Sequence, residues 1–309
     1  MKILGIESSH DDTSISLVED QNVLVFLKMS QIDVHKKYGG TIPEIASREH
    51  FQNYYILLEE LKTKCNLSEI DYIAYTEKPG LIGSLQMGQL FSHALSKSIN
   101  KPLIPVNHLY GHIFSVLLDN EHVIKYPAIA LVISGGHTNL YLLKDSQSKI
   151  LLGQTVDDAA GEVFDKVSRV LFNEFPGGPK IDKIFEENKN KEIKNIKLVD
   201  PKLETKFDFS FSGYKTQILN LSKNSNVNKL DLATMFQKHI IDFVISKVKS
   251  AINEYKPKSI ILSGGVSANK YLREQFLKLH KNALIPQIKY ATDNGAMIAS
   301  AAFEELKSK

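Results

Sequence analysis

One pattern of strands and turns occurs twice in this chain, and that repetition limits the fold more than any composition value does. Residues 2–6 read as a buried strand, 7–13 as a polar turn, 14–18 as a returning strand and 23–28 as a third strand. After Pro127 the order recurs. Residues 128–133 form a β-branched strand, Ser134-Gly135-Gly136-His137-Thr138 a tight turn, 139–143 the return and 150–154 the third strand. Helical sequence follows each unit, which predicts α/β layers built by internal duplication. Helical periodicity covers residues 45–64, a short strand 72–75, and the turn Pro79-Gly80-Leu81-Ile82-Gly83-Ser84 opens a helix to about residue 99. In the second half, residues 159–172 are helical until Pro176-Gly177-Gly178-Pro179 breaks the pattern. Residues 186–206 read as a solvated insertion, 232–254 as a long amphipathic helix and 259–262 as a strand before Ser263-Gly264-Gly265. Thr292-Asp293-Asn294-Gly295 precedes an Ala-rich helix over 296–306.

Chemistry concentrates in Asn107-His108-Leu109-Tyr110-Gly111-His112. On a helix, the four-residue spacing of His108 and His112 puts two imidazoles on one face, with Cβ atoms about 5–6 Å apart. That is close enough to share a metal ion, although such pairs also line helices without one. A third ligand is required. Asp293 is the candidate, while Thr292 or Asp293 would also serve as N-cap of the final helix. Leu109 stands where a zinc peptidase carries its Glu base, which argues against peptide hydrolysis. Two His and one carboxylate, with positions left open, suit Fe(II) or Zn(II) acting on a bound substrate.

With 309 residues and 43% hydrophobic content, the chain can bury cores for two domains of roughly 150 residues. No run approaches the ~18 apolar residues of a membrane span, and Glu7 interrupts the first apolar stretch too early for a signal peptide. Cys65 is the only cysteine, which excludes an internal disulfide, disfavours thiolate ligation and points to a cytoplasmic location. The net charge of +3 is mild for a protein that grips nucleic acid alone, and only Arg48, Arg169 and Arg273 among 38 basic residues are arginines.

Three turns follow strands and suit a phosphate: residues 7–13, 134–138 and 263–269. None matches Gly-x-x-x-x-Gly-Lys-Ser/Thr. Two of them are related by the repeat. With the third they resemble the actin–hexokinase–chaperone ATPase superfamily, in which duplicated ribonuclease-H-like domains bind a nucleotide. Nearby polar residues have two readings each. Asp165 either pairs with Arg169 at i, i+4 or contacts a ribose, and Asn269 either caps a helix or contacts the nucleotide. In residues 208–216, aromatics alternating with Ser fit a buried strand, which leaves Lys215 unexplained.

Read together, these residues resemble the tRNA adenosine threonylcarbamoyltransferase family. The resemblance is carried by Gly5-Ile6-Glu7-Ser8-Ser9, by residues 39–48 from Gly39-Gly40-Thr41 to Ala46-Ser47-Arg48, and by residues 107–112 and 134–138. It continues through Asp157-Asp158-Ala159-Ala160-Gly161-Glu162, Pro176-Gly177-Gly178-Pro179, and residues 208–216, 263–269 and 292–297, which together span nearly the whole chain. It implies an α/β, duplicated ribonuclease-H-like two-lobe fold. One lobe would be residues 1–126 with a terminal helix at 289–309, the other 127–288 with a helical insertion around 176–230. It implies one divalent metal per subunit, Fe(II) or Zn(II), on His108, His112 and Asp293. Val132, Ile133, Ser134, Gly135, Gly136, Asp165, Gly178, Asp182 and Asn269 would bind the adenylate. The implied reaction moves a threonylcarbamoyl group from threonylcarbamoyl-AMP to N6 of the adenosine 3′ of the tRNA anticodon. The implied partners are tRNA, a smaller paralogous subunit and a small ATPase, with no membrane.

Three positions depart from the family pattern without removing a ligand. His10 stands where Cys is usual, Glu77-Lys78 replaces small residues, and Ala291 replaces a frequent Cys. His10 and His137 are the candidates for catalytic proton transfer, since imidazole can take a proton at neutral pH. The rival readings are an ATP-dependent kinase or ATPase of the same superfamily, with Mg-nucleotide on its carboxylates, and a non-catalytic platform. The full ligand triad favours the enzyme.

Overall fold

The repeated pattern folds twice into one topology. The structure is a computed structural model and describes residues 1–193, 196–223 and 227–307. It divides into two units, Met1–Val123 with Pro286–Lys309, and Ile124–Ile285. In the first unit, β1 (Lys2–Glu7), β2 (Asp12–Glu19) and β3 (Asn22–Ser30) form an antiparallel meander. Then come α1 (Ile32–Lys36), α2 (Pro43–Lys64), β4 (Tyr72–Lys78), α3 (Ile82–Ile99), β5 (Leu103–Asn107) and α4 (His108–Phe114). The sheet order is β3-β2-β1-β4-β5, with β4 parallel to β1 and β5 parallel to β4.

The second unit repeats this plan with β6 (Ala128–Ile133), β7 (Thr138–Leu143) and β8 (Lys149–Gln154) as its meander. Four helices follow: α5 (Ala160–Phe172), α6 (Gly177–Asn188), α7 (Ser212–Ser222) and α8 (Lys229–Tyr255). β9 (Ser259–Ser263), α9 (Lys270–Leu277) and β10 (Ala283–Leu284) close the order β10-β9-β6-β7-β8, with β9 parallel to β6 and β10 parallel to β9. Strand for strand, this is the topology of the first sheet. Finally α10 (Gly295–Lys307) belongs to the first unit.

Each unit has its own core. Leu4, Ile6, Ile15 and Leu17 of the first sheet pack with Tyr54, Leu57 and Leu61 of α2. Ile129, Leu131 and Ile133 pack with Val163 and Phe164 of α5 and Phe236 and Ile240 of α8. α10 packs on β1 and α4, and its start approaches the sheet at backbone distance. A Cβ on Gly5 would strike the Gly295 carbonyl, and one on Gly295 would strike the Gly5 carbonyl. Gly295 N–H donates to Ser14 Oγ at 2.9 Å. Only glycine at both positions admits this approach.

The second unit bears out one expectation and corrects another. α5 ends at Phe172, before the Pro176-Gly177-Gly178-Pro179 break, and Gly177-Gly178-Pro179 then opens α6, since residues in a first turn need no N–H donor. The run over 208–216 is not a strand. It makes one bridge, Thr155 to Phe209, and enters α7 at Ser212. Phe209, Phe211 and Tyr214 are buried, and the serines between them answer to Asp157. Its carboxylate accepts hydrogen bonds from Ser210 Oγ (2.5 Å), Phe211 N–H (2.8 Å), and Ser212 N–H and Oγ (3.3 and 2.7 Å). Burial pushes the Asp157 carboxyl up, and these donors more than reverse that, so it lies below its ordinary value. A depressed carboxylate contributes stability above its unfolded pKa and loses it as pH falls through the folded one. Asp157→Ala is therefore expected to cost about 1 kcal/mol at neutral pH, since the group is well solvated. The difference from wild type should shrink below about pH 4. Equal melting temperatures at neutral pH would disprove the clamp.

Candidate functional site

β5 ends at Asn107, whose Oδ1 accepts Leu109 N–H at 2.9 Å and so starts α4 immediately after the strand. His108 and His112 share one face of α4, with ring centroids 4.7 Å apart and planes 79° apart, and both are buried. Gly111 between them leaves room for α10, since a Cβ there would lie 2.9 Å from Ile298 Cδ1. Asp293, just before α10, brings Oδ1 to 3.0 Å from His112 Nε2 and 3.7 Å from His108 Nε2. The helix cap is Asn294, whose Oδ1 accepts Met297 N–H at 2.9 Å. This replaces the expected cap at Thr292 or Asp293 and leaves the Asp293 carboxylate to the histidines. Lys28 on β3 holds the turn: its Nζ donates to Asp293 O (2.9 Å) and Thr292 Oγ1 (3.0 Å) and pairs with Asp12 Oδ2 (2.6 Å).

Sequence reasoning gave Glu7 no role in the site. Glu7 is fully buried at the end of β1, and its Oε2 meets His108 Nδ1 at 3.1 Å. Thr76 Oγ1 donates to the same oxygen at 2.5 Å, and Ser9 N–H donates to Oε1 at 2.5 Å. A carboxylate closing an otherwise apolar strand was the available signal, because a buried charge needs partners.

The electrostatics favour a cation here. Burial pushes the His108 imidazolium down, but the Glu7 and Asp293 carboxylates outweigh burial and raise its pKa to about 9. Burial pushes Glu7 up, and His108 more than reverses this, leaving it below its ordinary value. Asp293 lies far below the usual carboxylate range because His108 and His112 overcome its burial. His112 is depressed, chiefly by burial. Both His112 ring nitrogens are buried, and neither meets hydrogen-bond geometry with any described residue. Two buried imidazole Nε2 atoms that converge on one ionised carboxylate oxygen fit a metal ion. Among the described residues, the grouping with metal-ligand spacing is not the expected triad, because it holds His10 in place of His112. Donor atoms of His10, His108 and Asp293 all lie within 4.8 Å of one another.

The second unit holds the residues expected to bind an adenylate. Val132 and Ile133 end β6, and Ser134, Gly135 and Gly136 form the turn to β7, where Ser134 N–H donates to His137 O at 2.8 Å. Nothing lies within 4 Å of a Cβ built on Gly135 or on Gly178, so both backbones face open space. Asp165 on α5 accepts Gly177 N–H at 2.6 Å, which ties it to the start of α6 beside Gly178. Asp182 Oδ1 accepts from Asn269 Nδ2 and Gln237 Nε2, each at 2.9 Å. Asn269 also caps α9, its Oδ1 accepting Leu272 N–H at 2.9 Å, so its two readings are compatible. Among the described residues, no helix is long and apolar enough to cross a membrane.

Comparison with known proteins gives consistent results. The family model described as TsaD, tRNA N6-adenosine threonylcarbamoyltransferase, matches residues 22–300. The chain is 55% identical over 308 residues to a tRNA N6-adenosine threonylcarbamoyltransferase of Mycoplasmopsis synoviae, covering 99% of each chain. It is also 55% identical over 307 residues to the one of Mycoplasma mobile, again covering 99% of each. Among solved structures, full-length HypF in a phosphate- and nucleotide-bound form superposes with TM-score 0.64 at 14% identity, a likeness of fold. That match covers 99% of this chain and 46% of the HypF chain.

Proposed function

This chain belongs to the tRNA N6-adenosine threonylcarbamoyltransferase family, and we propose that its first unit carries the metal centre and its second unit the adenylate site. The reaction moves a threonylcarbamoyl group from threonylcarbamoyl-AMP to N6 of the adenosine 3′ of the tRNA anticodon. A C–N bond forms as the bond between the carbamoyl carbon and the AMP oxygen breaks, and the amine loses a proton. His108, His112 and Asp293 would hold one divalent ion, Fe(II) or Zn(II), which when bound supplies Lewis-acid charge stabilisation. The observation that carries this is the convergence of the buried His112 and His108 Nε2 atoms on one oxygen of the ionised Asp293, at 3.0 and 3.7 Å. Glu7 would fix the His108 ring so that Nε2 faces the ion.

In the second unit, backbone amides of residues 132–136 and the open backbone at Gly178 would receive the phosphate, with Asp165, Asp182 and Asn269 binding the nucleoside. His137 is the base put forward, since it lies in that turn. His10 lies with the first unit's cluster instead. The two units correspond to the two lobes of the family fold.

The mild net charge supports assisted tRNA capture, by a smaller paralogous subunit and a small ATPase. Phe51 and Tyr55 on α2 and Ile82 and Leu90 on α3 are exposed on two packed helices, a surface suited to the paralogous subunit. The single cysteine supports a cytoplasmic setting.

Depletion of the chain from cells is expected to remove threonylcarbamoyladenosine from tRNA, read by nucleoside mass spectrometry, and wild type should restore it. Unchanged modification after depletion would sink the reading. Asn269→Ala is expected to raise KM for threonylcarbamoyl-AMP about tenfold with kcat little changed. An unchanged KM would remove Asn269 from the adenylate site.

A further inference from the structure

We propose that His10 is a fourth protein ligand of the metal centre, so that the ion meets three imidazoles and one carboxylate. This rests on the metal reading above and extends it to a residue outside the expected triad. The donor atoms of His10, His108 and Asp293 lie within 4.8 Å of one another. A central point for these three then lies within about 2.8 Å of each, and shifts of up to about 0.8 Å reach metal bonds of about 2.0–2.2 Å. His112 joins them through its Nε2, 3.0 Å from Asp293 Oδ1.

The peptide that carries His10 is braced. Its carbonyl accepts His50 Nε2–H at 2.8 Å, the preceding Ser9 N–H donates to Glu7 Oε1 at 2.5 Å, and Ser9 O accepts Leu81 N–H at 2.8 Å. The ring is organised like that of His108. His10 Nδ1 pairs with Ser9 Oγ at 3.0 Å, as His108 Nδ1 pairs with Glu7, and their centroids are 6.0 Å apart. In the tautomer whose Nδ1–H donates to Ser9 Oγ, Nε2 keeps the lone pair that a metal takes. The β1–β2 turn, α4 and the start of α10 thus each supply the ion. Four protein ligands would match the number that a closed zinc-type site takes.

Co(II) titrated into the metal-stripped full-length chain is the probe. His10→Cys places a thiolate at this position and is expected to give a sulfur-to-cobalt charge-transfer band in the near ultraviolet. The wild type, whose one thiol is Cys65, should lack it. His10→Ala is expected to weaken Co(II) binding at least about tenfold while the metal-free melting temperature stays unchanged. Wild-type affinity in His10→Ala with no band in His10→Cys overturns the proposal, and a purely acid–base His10 would give that result. Where affinity and spectrum disagree, the band decides, because it requires sulfur in contact with the metal. Asp293→Ala with wild-type Co(II) affinity would mark failure of the metal reading itself.

Discussion

Replacing Asp293 by alanine is expected to lower threonylcarbamoyl transfer at least about a hundredfold while leaving the chain folded, because Lewis-acid stabilisation is worth several kcal/mol. The fold should survive because the carboxylate does little structural work. Asn294 caps α10, Gly295 N–H binds Ser14, and Lys28 grips the Asp293 carbonyl rather than its side chain. Bound metal, measured by mass spectrometry of the purified protein, should fall with activity. Full turnover by Asp293→Ala, with threonylcarbamoyladenosine restored in tRNA, would end the case for the metal. His112→Ala should behave alike, since its ring meets the same oxygen.

Glu7→Gln should have the second largest effect. The carboxylate accepts from Ser9 N–H and Thr76 Oγ1 and faces His108 Nδ1, so an amide there points its N–H groups at donors. Metal affinity is expected to fall about ten- to a hundredfold, as when the outer partner of a ligating His is lost. The metal-free protein should also change its response to pH. His108, raised from 6.5 to about 9, contributes stability in full below 6.5 and loses it as pH climbs through 9. Glu7, lowered from 4.5, contributes stability above 4.5 and loses it as pH falls through its folded value. Wild type stripped of metal should therefore melt highest at mildly acidic pH, between those limits. Glu7→Gln should flatten both flanks. Parallel melting curves for the two proteins across this range would show that the pair is not coupled to folding.

Residue spacing made part of this legible. His108 and His112 declare themselves through a four-residue interval, and the two meanders through alternation and turns at matching places. The duplicated topology follows from those segments because each strand is short, apolar and bounded by polar or Gly-containing turns. Glu7 stayed hidden, since nothing local reveals that a carboxylate closing β1 meets a histidine 101 residues away. His10 was legible only as an imidazole near a turn; its neighbours come from α4 and from the start of α10. The break before residues 176–179 is legible, but not that they also open α6, because Pro and Gly punctuate sequence both as breakers and as first-turn residues. The run over 208–216 was misread because alternation with Ser looks the same whether a sheet or the Asp157 carboxylate satisfies the hydroxyls.

The route by which Asp293 joins α4 has a consequence for biosynthesis. A ribosome delivers Glu7, His108 and His112 early, then the whole second unit, and only then the carboxylate and α10. A product that stops before residue 293 carries both imidazoles in its sequence but lacks the carboxylate proposed as the third ligand. It also lacks the helix that packs on β1 beside Gly5. On the proposed metal reading, a polypeptide that stops before residue 293 should therefore lack transfer activity.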